Sequence, residues 1–158
     1  MLSPLTKANL GLLVFAFRKV PLIWMTRPRL LAIDGEQVQV KLPLNRRNKN
    51  HLNSMYFGAL AVGADVAGGF LAMHKAHLLG KKVSLAFKSV QGEFLKRPEA
   101  DAVFVCKDGA LIDDMLNRSI ETGERINEAV EILVYCPTLS KDEIMARFAL
   151  TLSVKVKP

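Results

Sequence analysis

Between Met55 and Met73 every residue is apolar or small except Tyr56 and Asp65, and Asp65 is the only charged side chain between Lys49 and Lys75. Such a run has three physical outcomes: a membrane span, a pair of strands, or a helix enclosed by protein. Its length suits a bilayer, but an ionisable group at mid-span is costly in lipid, and the flanking chain alternates as half-buried strands do. A helix that is apolar all round is normally buried in a protein core. Gly58, Gly63, Gly68 and Gly69 let a sheet approach closely, at some cost in helix propensity. We therefore read a central helix over 54–78, wrapped by protein, and no membrane span.

The rest of the chain provides the wrapping. Ser3-Pro4 reads as a cap with proline in the first turn, and Leu5, Leu12, Leu13, Ala16 and Phe17 recur at helical spacing. This predicts an N-terminal helix over 1–20 that docks through those residues, followed by a plain connection from Pro21 to Pro28. Leu10–Phe17 is short for a signal segment, is followed by Arg18-Lys19 and lacks a small-x-small site, so export is not expected. Arg29–Asp34 and Gln37–Leu44 form a hairpin with one wet face, and the polar stretch Asn45–Asn53 reads as a loop. Beyond the central helix come long strands at Lys82–Lys96 and from Ala100 to Lys107. A surface helix then spans 109–122, capped by Asp108, stopped by Gly123 and inward-facing at Leu111, Ile112, Met115, Leu116 and Ile120. Arg125–Cys136 and Glu143–Lys157 complete about six strands. The expectation is a single α+β domain over 1–158, a curved, mostly antiparallel sheet around one helix.

A net charge of +7 favours anionic partners, although short basic clusters are usually solvated loops. Aromatic residues are 7% of the chain and fall mainly in apolar runs, so the interleaving of cations and rings used for nucleic acid is missing. Cys106 and Cys136 lie in strand-like runs with no Cys-x-x-Cys spacing, which reads as two buried thiols in a reduced, cytoplasmic protein. His74 and His77 have a spacing that metals use, but no third ligand is evident and histidines there suit the end of a helix. No metal site is expected. A Gly-x-Ser-x-Gly elbow and a phosphate-cradling glycine loop are both missing.

Two features remain that carry chemistry. A lone carboxylate in an apolar helix is desolvated, so its pKa is perturbed unless it caps a loop or pairs with a distant base. At the helix start, with Asn53 and Ser54 as cap residues, the amides of Tyr56, Phe57 and Gly58 are expected to project unpaired. Unpaired amides at a positive dipole end attract an oxyanion, and a thioester carbonyl placed there would be polarised.

The stretch Asn50-His51-Leu52-Asn53-Ser54-Met55-Tyr56-Phe57-Gly58-Ala59-Leu60, continuing to Asp65, resembles the loop and central helix of hotdog-fold thioesterases of the phenylacetyl-CoA type. In that family an asparagine precedes a His-Gly-Gly helix start, and an acidic residue follows seven positions after the second glycine. Asn50, Gly58 and Asp65 fall at those places. The resemblance implies that Asp65 is nucleophile or general base, that Asn50 orients water or substrate, and that the Gly58 amide binds the thioester oxygen. His51, Ser54, Tyr56 and Phe57 would then touch substrate. Coenzyme A would enter as part of the substrate, with no separate cofactor, and Arg46, Arg47, Lys81 and Lys82 are candidates for its phosphates. The resemblance also implies a homodimer or dimer of dimers whose site forms between subunits. Tyr56 and Phe57 stand where the family has His-Gly. The alternative is therefore an acyl-binding hotdog protein without turnover.

Overall fold

A computed structural model describes all 158 residues. The chain runs through α1 (Pro4–Lys19), α2 (Pro21–Thr26), β1 (Arg29–Ile33), β2 (Val38–Leu42), α3 (Phe57–Leu78), β3 (Val83–Phe94), β4 (Ala102–Cys106), α4 (Gly109–Thr122), β5 (Ile126–Tyr135) and β6 (Ile144–Val156). The strands form one antiparallel sheet in the order β1-β2-β4-β5-β6-β3. It curves around α3, which packs against every strand from β2 to β6. This is the hotdog architecture.

The burial of α3 follows from its composition. Leu60, Ala64, Ala67, Leu71 and Ala72 are buried, and the helix is long and apolar enough to cross a bilayer, but the sheet takes up that surface instead. Gly63 permits the closest approach: a Cβ there would lie 2.3 Å from the ring of Phe104, a buried residue of β4. At the far end, the buried Lys75 ammonium donates to Asp113 of α4 at 2.8 Å, tying the two helices together.

The two sheet edges differ. At β1, the Asn9 side chain of α1 accepts from the Leu30 amide at 2.8 Å and donates to the Leu30 carbonyl at 3.0 Å, taking the place of a neighbouring strand. The outer edge of β3 has no such partner. Phe87, Val90 and Phe94 are all exposed along it, an arrangement that invites pairing with another strand.

Several expectations change. The connection from Pro21 contains a helix, α2, which starts on proline at its first turn and ends at Arg27 in the left-handed region. Leu12 and Ala16 of α1 are buried as expected, whereas Leu13 and Phe17 face outward, because a helix lying on one surface buries only one stripe. The strand expected from Ala100 to Lys107 is only five residues long. On α4, Ile112, Met115 and Leu116 are buried and Leu111 is partly so, but Ile120 is exposed and Ser119 takes the inward place. The Ser119 hydroxyl donates to the Glu124 carbonyl and accepts from the Val156 amide, which satisfies a polar group in the core. Asp108 holds the cap position of α4 as read, but its side chain makes no capping hydrogen bond and accepts instead from the Glu131 amide at 2.7 Å. Gly123, at φ 71°, stops the helix as read. Cys106 and Cys136 are free and buried, and burial pushes the Cys106 thiol up to about 11.

Candidate active site

The loop before α3 is held by asparagines. Asn48 donates to the carbonyls of Thr26 and Pro43, joining α2 to the exit of β2. The Asn50 carboxamide oxygen accepts from the amides of Leu52 and Ser54, closing a turn through Asn53, whose φ is 59°. Asparagine tolerates that left-handed conformation. Because the turn still closes at Ser54, and Met55 bridges back to Lys49 as extended chain, Asn53 and Ser54 cannot cap the helix. The cap position is Tyr56, with no side-chain hydrogen bond, and α3 begins at Phe57 rather than at 54.

This shift changes which amides are free. The Tyr56 amide donates to the Asn48 carbonyl at 2.7 Å. The amides of Phe57, Gly58 and Ala59 have no acceptor in the protein, as an uncapped first turn requires. They sit beside a cleft of about 550 Å³ whose walls include Asn50, His51, Ser54, Tyr56 and Phe57. The Ser54 hydroxyl is buried on this wall and has no partner. The Tyr56 ring folds over Gly58, where a Cβ would lie 2.5 Å from it. Tyr56, Phe57, Phe94 and Phe148 then form a chain of ring contacts, 4.7 to 6.4 Å between centroids, leading into the core.

Asp65 lies elsewhere. It faces a separate cavity of about 190 Å³ between α3, α1, α2 and β3, walled by side chains such as Leu12, Phe15, Ile23, Leu85 and Phe87. Its carboxyl makes no hydrogen bond, and burial alone raises its pKa from 3.8 to about 6. One turn further along α3, Gly69 leaves room beside the carboxylate, since a Cβ there would stand 3.5 Å from its oxygen.

Asn50, His51, Ser54, Tyr56 and Phe57 are thus brought together with the start of the helix, while Asp65 is not. Gly58 and Asp65 are seven positions apart, about 10 Å along a helix axis. The cations beside the cleft are Lys96 and Arg97. Arg46, Arg47, Lys81 and Lys82 border neither cavity, and Lys81 instead joins Lys155 and Lys157 on another groove. Residue spacing gives no signal for Phe94–Pro98 as a cleft wall, because β3 brings that segment to α3 only through its pairing with β6.

The same architecture recurs in solved structures of low sequence identity. A Chlorobaculum tepidum protein of unknown function superposes with a TM-score of 0.83 at 13% identity, over 96% of each chain. A Pseudomonas aeruginosa protein described as a probable thioesterase gives 0.77 at 18% identity, over 99% of each. Zebrafish thioesterase superfamily member 2 gives 0.68 at 9% identity, covering 97% of this chain and 99% of its own. No curated protein matches the chain by sequence. A family model does match, over residues 10–152, so this hotdog protein belongs to the family described as domain of unknown function DUF4442.

Proposed function

We propose that the protein hydrolyses acyl-CoA thioesters, with Asp65 as the reacting carboxylate and the first turn of α3 as the oxyanion site. One observation carries the reading: a partly buried carboxylate with neither a hydrogen bond nor a neighbouring charge to steady it. A structural aspartate has a partner, because desolvation without one is costly. A carboxylate poised near pH 6 is suited to proton transfer at neutral pH. Ionised Asp65 takes a proton from water as the oxygen attacks the carbonyl, and the negative charge moves to the carbonyl oxygen beside the free amides. The C–S bond then breaks and the proton passes to the departing thiolate. Direct attack by Asp65, with hydrolysis of the resulting anhydride, is the other route the carboxylate allows.

The two halves meet between subunits in this reading. The exposed edge of β3 carries Leu85 and Phe87 beside the Asp65 cavity and Phe94 beside the cleft at the helix start. An antiparallel pairing of two β3 edges about a two-fold axis brings Phe94 of one copy toward Phe87 of the other. Each Asp65 would then face its neighbour's helix start, which its own helix holds about 10 Å away. Lys96 and Arg97 border that cleft and are the cations for the coenzyme A phosphates. A reducing cytoplasm suits the two buried thiols.

The Tyr56 ring over Gly58 favours a second reading, in which the cleft binds acyl groups without turnover. Purified protein presented with aromatic, short and long acyl-CoAs, with free thiol measured, separates the two. Thiol release supports hydrolysis. Binding with no release from any thioester sinks it.

A further inference from the structure

The helical pair α1–α2 has two apolar surfaces. Leu12, Phe15, Val20 and Ile23 face the Asp65 cavity. The other surface holds Leu10, Leu13, Val14 and Phe17, the i, i+3, i+4 and i+7 positions of one stripe, and all four are exposed. Trp24 of α2 extends the stripe, its ring 5.6 Å from Phe17 and 36% exposed, with Leu22 and Met25 exposed on the same short helix. An outward apolar stripe of this size is not needed for folding, because the opposite face already anchors α1 to the core through Leu12 and Ala16.

The charge around the stripe indicates what it meets. Lys7, Arg18, Lys19, Arg27 and Arg29 all precede Asp34, the first acidic residue of the chain. None of the five takes part in an ion pair; every salt bridge lies between Lys41 and Arg147. Lys7 and Arg18 border the same groove as Leu10 and Val14, and Arg27 borders another with Leu13 and Trp24. Lys7, Arg18, Lys19 and Arg27 therefore stand without counter-ions around an apolar stripe that faces solvent.

We infer that the outer face of α1–α2 docks on an anionic lipid surface, with Leu13, Phe17 and Trp24 entering the acyl boundary and the cations meeting the headgroups. A soluble partner would have to match both the long apolar stripe and its cationic border, whereas a bilayer interface presents anionic heads over apolar tails everywhere. Docking leaves the inner face of α1–α2 in place over the Asp65 cavity. Vesicle binding requires no hydrolysis, so it stands or falls separately from the thioester reading.

Trp24 is the only tryptophan and reports directly. Titrating the full chain with phosphatidylcholine vesicles, with and without phosphatidylglycerol, is expected to blue-shift its emission only when the anionic lipid is present, with weakening in high salt. Arg18→Glu with Lys19→Glu is expected to lower vesicle affinity about tenfold or more. Leu13→Ser with Phe17→Ser is expected to abolish sedimentation with vesicles while the thermal melt in the absence of lipid is kept. Equal binding to neutral vesicles, or no binding to either, would overturn the inference. So would an assembly larger than a dimer that the Leu13→Ser, Phe17→Ser variant breaks down, which would assign the stripe to a second copy.

Discussion

At the start of α3 three amides without acceptors lie beside a wide cleft edged by exposed rings and by Lys96 and Arg97; two turns along the same helix, Asp65 faces a small cavity walled almost entirely by hydrocarbon. The helix start is open to water and suited to holding a polar, anionic ligand with donors that need no reorganisation. The Asp65 cavity holds a single carboxylate in a medium poor enough in polar groups to raise its pKa to about 6. A carbonyl is polarised best by the first environment, and a proton is taken best by the second. Placing the two about 10 Å apart on one helix keeps each from spoiling the other; in the proposed reading a second subunit joins them.

The contrast is broken most severely at the carboxylate. Asp65→Asn keeps the shape and removes the base, so kcat/KM is expected to fall about 10³-fold with the circular dichroism spectrum unchanged. Activity retained in this variant would make Asp65 structural. The next largest effect is expected at the helix start. Phe57 occupies the first helical position, where proline is tolerated, and Tyr56 before it is already extended at φ −62°, ψ 138°. Phe57→Pro therefore removes one free amide without breaking the helix, and kcat is expected to fall about 10²-fold below that of Phe57→Ala. Equal rates for the two variants would mean that this amide does not meet the reacting oxygen.

Acidity sharpens the same contrast more gently. Hydrolysis requires the ionised carboxylate, so kcat/KM is expected to decline about tenfold per pH unit below pH about 6. Stability is expected to move in the opposite direction. The folded pKa lies above the unfolded value of 3.8, so the folded state holds the proton more tightly and loses stability as pH rises between about 4 and 6. Asp65→Asn, which carries no charge, is expected to be more stable than the parent by roughly 1–3 kcal/mol at pH 7.5. That gain should vanish at pH 4 or below. Urea denaturation followed by Trp24 fluorescence at both pH values checks this, and a destabilised variant at pH 7.5 would reveal a partner for the carboxylate.

Much of the wrapping was legible because it depends on local pattern. The isolation of Asp65 in an apolar run implied an enclosed helix, alternation at Val38, Val40 and Leu42 implied a strand with its inner face buried, and Gly123 marked the end of α4. The start of α3 was less legible, since Asn53 and Ser54 are good capping residues by type. Only the turn closed by Asn50 and the bridge from Lys49 to Met55 show that the chain is still extended there. Helical spacing placed Leu13 and Phe17 on a helix but could not choose which stripe would face the core. The walls of both cavities come from segments far apart in sequence, such as Leu12 with Phe87 and Ser54 with Phe94, so no local pattern announces them. The distance between Gly58 and Asp65 could be counted in residues. That Asp65 and the loop before the helix border different cavities could not.

Mixing two damaged chains tests the shared site most directly. Asp65→Asn and Phe57→Pro proteins, each impaired alone, are dissociated, combined in equal amounts and reassembled. If each site takes Asp65 from one copy and the helix start from the other, half of the random dimers are hybrids with one intact site, and activity is expected to recover to about a quarter of the parent value. A mixture that forms hybrid dimers yet stays no more active than its two components would contradict a site completed across the subunit interface.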